Sequence, residues 1–179
     1  MRLSEVQRGV LRGMLQALGI SLLAVGAVIM WPPQAVLPAL GDELGHALAW
    51  DILVMACVAG NIAWVARHRF FTPEDIEGSG LAAGTDRVRR YQALLQNTLE
   101  QAVLAVGTHG VWAASMPAHW QGAVPVAVLL FLLGRVLFWR GYAAGAGHRA
   151  LGFALTFYPS VLLLLLVVGR RGLQGLGLA

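Results

Sequence analysis

Lysine is absent from this chain: all thirteen basic residues are arginine, set against nine carboxylates, for a net charge of +4. Charge of either sign is scarce, 12% of residues where a soluble domain carries roughly a quarter. Cysteine is nearly absent too. Cys57 stands alone, which excludes an internal disulfide and any redox cycle that needs a pair of thiols. Zinc-ligand spacing, a P-loop and a nucleophile elbow are all missing, so no metal site is expected. Nor is there the interleaved basic and aromatic surface of a nucleic-acid binder, and no nucleic-acid partner is expected. What is present is apolar: 58% of the residues, with a mean hydropathy of +0.67. That composition is an integral membrane protein of one domain, with the lipid bilayer as its first partner.

Five runs approach the roughly 20 residues that cross a bilayer. They cover about Met14 to Trp31, Ala47 to Ala66, Tyr91 to Ser115, Val124 to Tyr142 and Leu151 to Val168. The first follows Arg2, Arg8 and Arg12 as a signal peptide would. It is longer than the 7–15 residues, about, of a signal core and lacks a clear cleavage site, so it reads as a retained helix. Gln34 to Gly45 reads as a short acidic loop, and Thr72-Pro73-Glu74-Asp75 as a helix start inside the longer loop Phe70 to Arg90. The fourth run reads as helix continuing towards His148, and the fifth as interrupted by Pro159. Arginine distribution orients the chain. Arg2 to Arg12, Arg67 to Arg90 and Arg140 to Arg149 share one side, and only Arg170 and Arg171 fall on the other. The positive-inside rule puts the amino terminus in the cytoplasm.

Against this apolar background, Gln96-Asn97-Thr98-Leu99-Glu100-Gln101 is a polar knot within the third run. A carboxylate there costs roughly 3 kcal/mol on insertion scales, so it should face a partner, a cavity or a ligand. At 1.5 Å per residue, Glu100 and Arg135 both lie roughly 18 Å from the basic side, and an ion pair is expected, within one chain or across an interface. Such a pair either locks helix packing, serves a ligand, or does both. Arg135, Phe138, Tyr142 and Arg149 read as one helical stripe. Arg140 and Arg149 beside Tyr142 either snorkel to the surface or bind a carboxylate-rich ligand. An arginine also stabilises a thiolate. The residues therefore suit a small anionic ligand entering from the cytoplasmic side. Asn61 reads as an interhelical hydrogen bonder or as cavity lining, Asp51 as interfacial, and Gly141 with Gly145 as a close-packing pair. His46, His68, His109, His119 and His148 show no shared role.

Arg90-x6-Asn97-x2-Glu100, followed a span later by Arg135-x5-Gly141-Tyr142-x6-Arg149, resembles the MAPEG family, membrane-associated proteins in eicosanoid and glutathione metabolism. The resemblance covers roughly Ala47 to Val168 and has a bacterial character. It implies an all-α membrane bundle: a four-helix core over 47–169, preceded by an extra helix and loop over 1–46 and followed by a tail over 170–179. It further implies a homotrimer that binds glutathione as co-substrate near the cytoplasmic side of a bacterial inner membrane. By position, Asn97, Glu100, Arg135 and Tyr142 would belong to the glutathione-binding and supporting set, with Arg140 beside them. Arg149 would be the catalytic residue that activates the thiol against a small lipophilic electrophile. This chain departs from the leukotriene synthase of that family, which the resemblance gives an arginine at the position of Ala93 and tyrosines at those of Gln101 and Phe138. The activity implied is that of a glutathione transferase or peroxidase; the alternative is a non-catalytic ligand-binding or scaffolding protein of the same fold. A small transporter fits poorly, since no repeated half or paired broken helices occur.

Overall fold

Each apolar run falls on a helix, four of them wholly inside it and the first running one residue past its end. The computed structural model describes residues 3–32, 39–78 and 81–177. Five α-helices follow one another: α1 (Glu5–Met30), α2 (Leu40–Phe70), α3 (Asp86–Ser115), α4 (Ala123–Tyr142) and α5 (Ala146–Gly175). Short 3₁₀ turns at Pro73–Asp75 and Ala118–Trp120 complete the described structure, which contains no strand. Hydropathy marks only the stretch a bilayer would cover, whereas backbone hydrogen bonding carries a helix on until something caps it. Ser4 caps α1 through a reciprocal bond with Gln7, and Thr85 caps α3 by accepting from the Val88 amide at 3.3 Å. Thr85, not Thr72, is thus the capping threonine of the long loop.

Other boundaries move for the same reason. Asp42 and Glu43 belong to the first turn of α2, where their charge complements the helix dipole, rather than to a loop. Gln34 lies outside the described residues. The tail from Arg170 to Gly175 is helical, and α5 runs through Pro159 without a break. Pro159 is buried among neighbouring helices, a setting in which a membrane helix tolerates it. The fourth helix, by contrast, stops at Tyr142. Gly145 adopts φ of 105°, and the chain turns there into α5.

α1, α2, α4 and α5 are long and apolar enough to cross a membrane. α3 is equally long but too polar to be counted with them on composition. Part of its polarity is turned inward: Thr98, Gln101, Thr108 and His109 are buried against the other helices. Trp112, Phe131, Val54, Val128 and Leu163 fill the main core, and Ala17 with Leu130, Ala154 and Leu155 fill a smaller one under α1. Between apolar helices in lipid the hydrophobic drive is weak, and close approach of small residues replaces it. On α1, Gly13, Ala17, Ser21 and Val25 recur every fourth residue as its buried stripe, laid along α5. A Cβ on Gly13 would come within 2.8 Å of the Leu151 amide nitrogen, and Gly9 faces Gly147 in the same way at 3.4 Å. At the opposite end, Arg171 donates to Ser115 Oγ at 3.2 Å. The two arginines that break the charge asymmetry lie against the α3–α4 turn, Arg170 near Met116.

The loop between α2 and α3 is tied down by one carboxylate. Asp75 accepts from the Thr85 amide (2.7 Å), the Thr85 hydroxyl (2.7 Å) and His68 Nε2 (2.9 Å). Burial pushes the Asp75 carboxyl up, but the bonds from Thr85 and His68 outweigh it and hold the group below its usual range.

Two outcomes follow from this packing. Gly13→Val overpacks the α1–α5 contact and should lower stability in detergent by about 1–3 kcal/mol. Gly19→Ala, where nothing stands within 4 Å, should leave the melting temperature unchanged or raised. The Asp75 tether is complete above an ordinary carboxylate pKa of about 3.9 and is lost as pH falls through the lower folded value. Amide exchange at Thr85, corrected for its intrinsic pH dependence, should therefore stay slow at neutral pH and quicken only below roughly pH 4. In Asp75→Ala it should be fast throughout.

Candidate functional site

Among the described residues Arg135 is the one arginine sunk into the bundle, 2% exposed at the middle of α4. Among the described residues no carboxylate pairs with it. Nη1 donates to Asn97 Oδ1 on α3 at 2.8 Å, and Nη2 donates to Thr156 Oγ1 on α5 at 2.5 Å. Its guanidinium carbon lies 4.6 Å from the Phe138 ring centre and 5.7 Å from that of Phe131. Both rings face a delocalised cation with their π-clouds, an attraction that strengthens where water is excluded. Nε has no acceptor.

From Arg135 a row of side chains leads to the basic end. The Phe138 ring meets the Tyr142 ring edge-on at 5.4 Å, and the Arg149 guanidinium carbon stacks over Tyr142 at 4.5 Å. Arg149 does not extend the α4 stripe. It belongs to the first turn of α5 and returns to α4 from across the turn. Gly141 makes that return possible: a Cβ there would collide with the His148 carbonyl and lie 2.9 Å from the Arg149 nitrogen. Gly141 therefore serves close packing as expected, while Gly145 serves the turn and touches nothing within 4 Å. Further in, a Cβ on Gly134 would lie 2.7 Å from the Gly152 carbonyl, so α4 and α5 touch almost backbone to backbone beside the arginine.

The expected Glu100–Arg135 ion pair does not form within the chain. Glu100 is exposed and accepts a bond from Gln96 Nε2 at 3.0 Å. Depth was matched but azimuth was not. At about 100° per residue Glu100 lies roughly 60° round α3 from Asn97, on the side away from fully buried Thr98, and that turn is enough to expose it. Arg140 is exposed as well, turned away from Arg135 on α4. The structure thus gathers Asn97, Arg135, Tyr142 and Arg149 and leaves Glu100 and Arg140 outside. Thr156 joins the group without having been foreseen; a threonine in an apolar helix gives no spacing signal of its own.

Two more sites differ from expectation. Asp51 is not interfacial: its Oδ1 lies 2.6 Å from His109 Nδ1, both side chains buried between α2 and α3. Opposite polarity on two adjacent spans was the available clue. Among the described residues Asn61 makes no interhelical bond; its Nδ2 donates to the Cys57 carbonyl at 2.8 Å in its own helix. It also lines an apolar groove of about 210 Å³ with Trp64, Tyr91, Leu94 and Trp139. Leu94 and Trp139 are near neighbours of Asn97 and Arg135 on their helices, so the groove adjoins the row.

A row of this kind offers a cation at its basic end, an amide beside Arg135 and apolar surface alongside. The MAPEG family model matches residues 46–169, which run from within α2 to within α5 and contain every member of the row. No curated protein and no solved structure matches the chain. The matched stretch, its helical membrane architecture and the residues it brings together carry one conclusion: this multi-pass membrane protein belongs to the MAPEG family.

Proposed function

We propose that the protein is a membrane-bound glutathione transferase or peroxidase that binds glutathione at the cytoplasmic end of the row and attacks lipophilic electrophiles. The observation supporting this most directly is the position of Arg149, half-buried and stacked on Tyr142 at the open end of a row rooted in Arg135. A cation held there lowers the pKa of a thiol beside it, and the thiolate is the nucleophile. The thiol proton passes to solvent, sulfur forms its bond to the electrophilic carbon, and the leaving group departs with the bonding pair. Tyr142 and Asn97 hold the peptide, and Arg135 keeps the row in shape. The groove at Trp64 and Trp139 offers apolar surface to a substrate dissolved in the bilayer.

The assembly in this reading is a homotrimer in a bacterial inner membrane, with the amino terminus in the cytoplasm. Glu100 supports assembly. It lies roughly 20 Å along α3 from Asp86, at a depth where a carboxylate facing lipid costs about 3 kcal/mol, and a neighbouring copy would cover it. Phe138 favours a second reading. It presents a plain ring to Arg135 and has no hydroxyl to offer a ligand, which suits a non-catalytic ligand-binding or scaffolding protein of the same fold.

Glutathione conjugation to a generic electrophile should fall roughly 10-fold or more in Arg149→Ala, since losing one neighbouring cation raises a pKa by about 1–3 units. The thiolate absorbance of bound glutathione should fall with it. Equal rates would remove Arg149 from its role, and binding by calorimetry without turnover would select the second reading.

A further inference from the structure

We infer that Thr156 is a positioning residue: acting through Arg135, it fixes the Asn97 amide so that its NH₂, not its oxygen, is presented to a ligand. The inference rests on the glutathione reading of the site and adds what chemical group Asn97 recognises and what holds it ready.

Hydrogen-bond polarity settles the direction. A guanidinium has donors only, so the Asn97 atom 2.8 Å from Arg135 Nη1 is the oxygen. The amide nitrogen keeps both donors with no acceptor among the described residues, on a residue that is half-buried. It suits an acceptor group, a carboxylate or peptide carbonyl, and not a donor. Thr156 is polarised in the same sense. Its single proton goes to the Phe153 carbonyl at 2.7 Å, so towards Arg135 its oxygen can only accept. Asn97 and Thr156 thus hold the two ends of one planar group, and Phe131 and Phe138 supply aromatic surface beside it.

Thr156 reaches Arg135 because Gly134 stands opposite it; a Cβ there would lie 2.7 Å from Thr156 Cγ2. Removing the hydroxyl leaves two of the three guanidinium nitrogens without an acceptor in an apolar setting, since Nε already lacks one. The guanidinium is then free to turn, and Asn97 loses its fixed orientation.

Thr156→Val removes the hydroxyl at nearly constant volume, and Thr156→Ser keeps it. Glutathione binding by calorimetry, kcat at saturating glutathione and thermal melting are compared on the detergent-solubilised full chain. Thr156→Val should bind glutathione on the order of 10-fold more weakly, the scale of one lost charge-assisted hydrogen bond. Its kcat at saturation should change less, and Thr156→Ser should restore affinity. Wild-type affinity in Thr156→Val with a lowered melting temperature would overturn the inference and leave Thr156 a packing residue. Failure of Thr156→Ser to restore affinity would overturn it equally. Asn97→Asp provides a second arm that does not depend on the valine variant folding. Its carboxylate pairs with Arg135 and has no donor, so it should melt no lower than wild type yet lose glutathione binding. Wild-type binding by Asn97→Asp would overturn the inference while leaving the glutathione reading intact. A wild-type protein that binds no glutathione overturns both.

Discussion

A single buried guanidinium sets the terms for the rest of the bundle. Arg135 has no counter-ion among the described residues, so its charge is spread over a carbonyl oxygen on α3, a hydroxyl on α5 and two aromatic rings of its own helix. Stripping an ion of water is expensive, and only well-placed hydrogen bonds make it tolerable. Those bonds exist only if three helices hold one axial and rotational register. The same register puts Phe138, Tyr142 and Arg149 in line towards the basic end.

Glycine makes that register attainable. Where α4 meets α5, Gly134, Gly141 and Gly152 each face backbone of the other helix at distances that exclude a side chain. The close approach lets Thr156 reach Arg135 and lets Arg149 fold back over Tyr142. A second small-residue seam, Gly9, Gly13 and Ala17, joins α1 to α5, although the whole of α1 precedes the stretch the family shares. α1 is thereby integrated by the means that membrane helices generally use, surface shape in place of hydrophobic drive.

The helices were legible because apolar length is a property of the chain itself. Their ends were less so: caps at Ser4 and Thr85 act by hydrogen bonds that hydropathy does not weigh. The site divides in the same way. Asn97, Arg135 and Tyr142 stand out as polar residues in apolar runs, and Arg149 as a cation between two of them. Glu100 stood out equally and lies elsewhere, because a charge of the right depth still has to face the right way. Asp51 and His109 looked unrelated at 58 residues apart and prove to be direct partners.

The sequence by itself determined that this is a multi-spanning helical membrane protein, and which few polar side chains any site must use. Apolar length, charge and residue type suffice for that, since each is fixed before folding. Only the tertiary structure decided which of those side chains meet. Rotation about each helix axis and the closeness of α4 to α5 are set by contacts between helices far apart in the chain. They turned Arg135 away from Glu100 and towards Asn97 and Thr156.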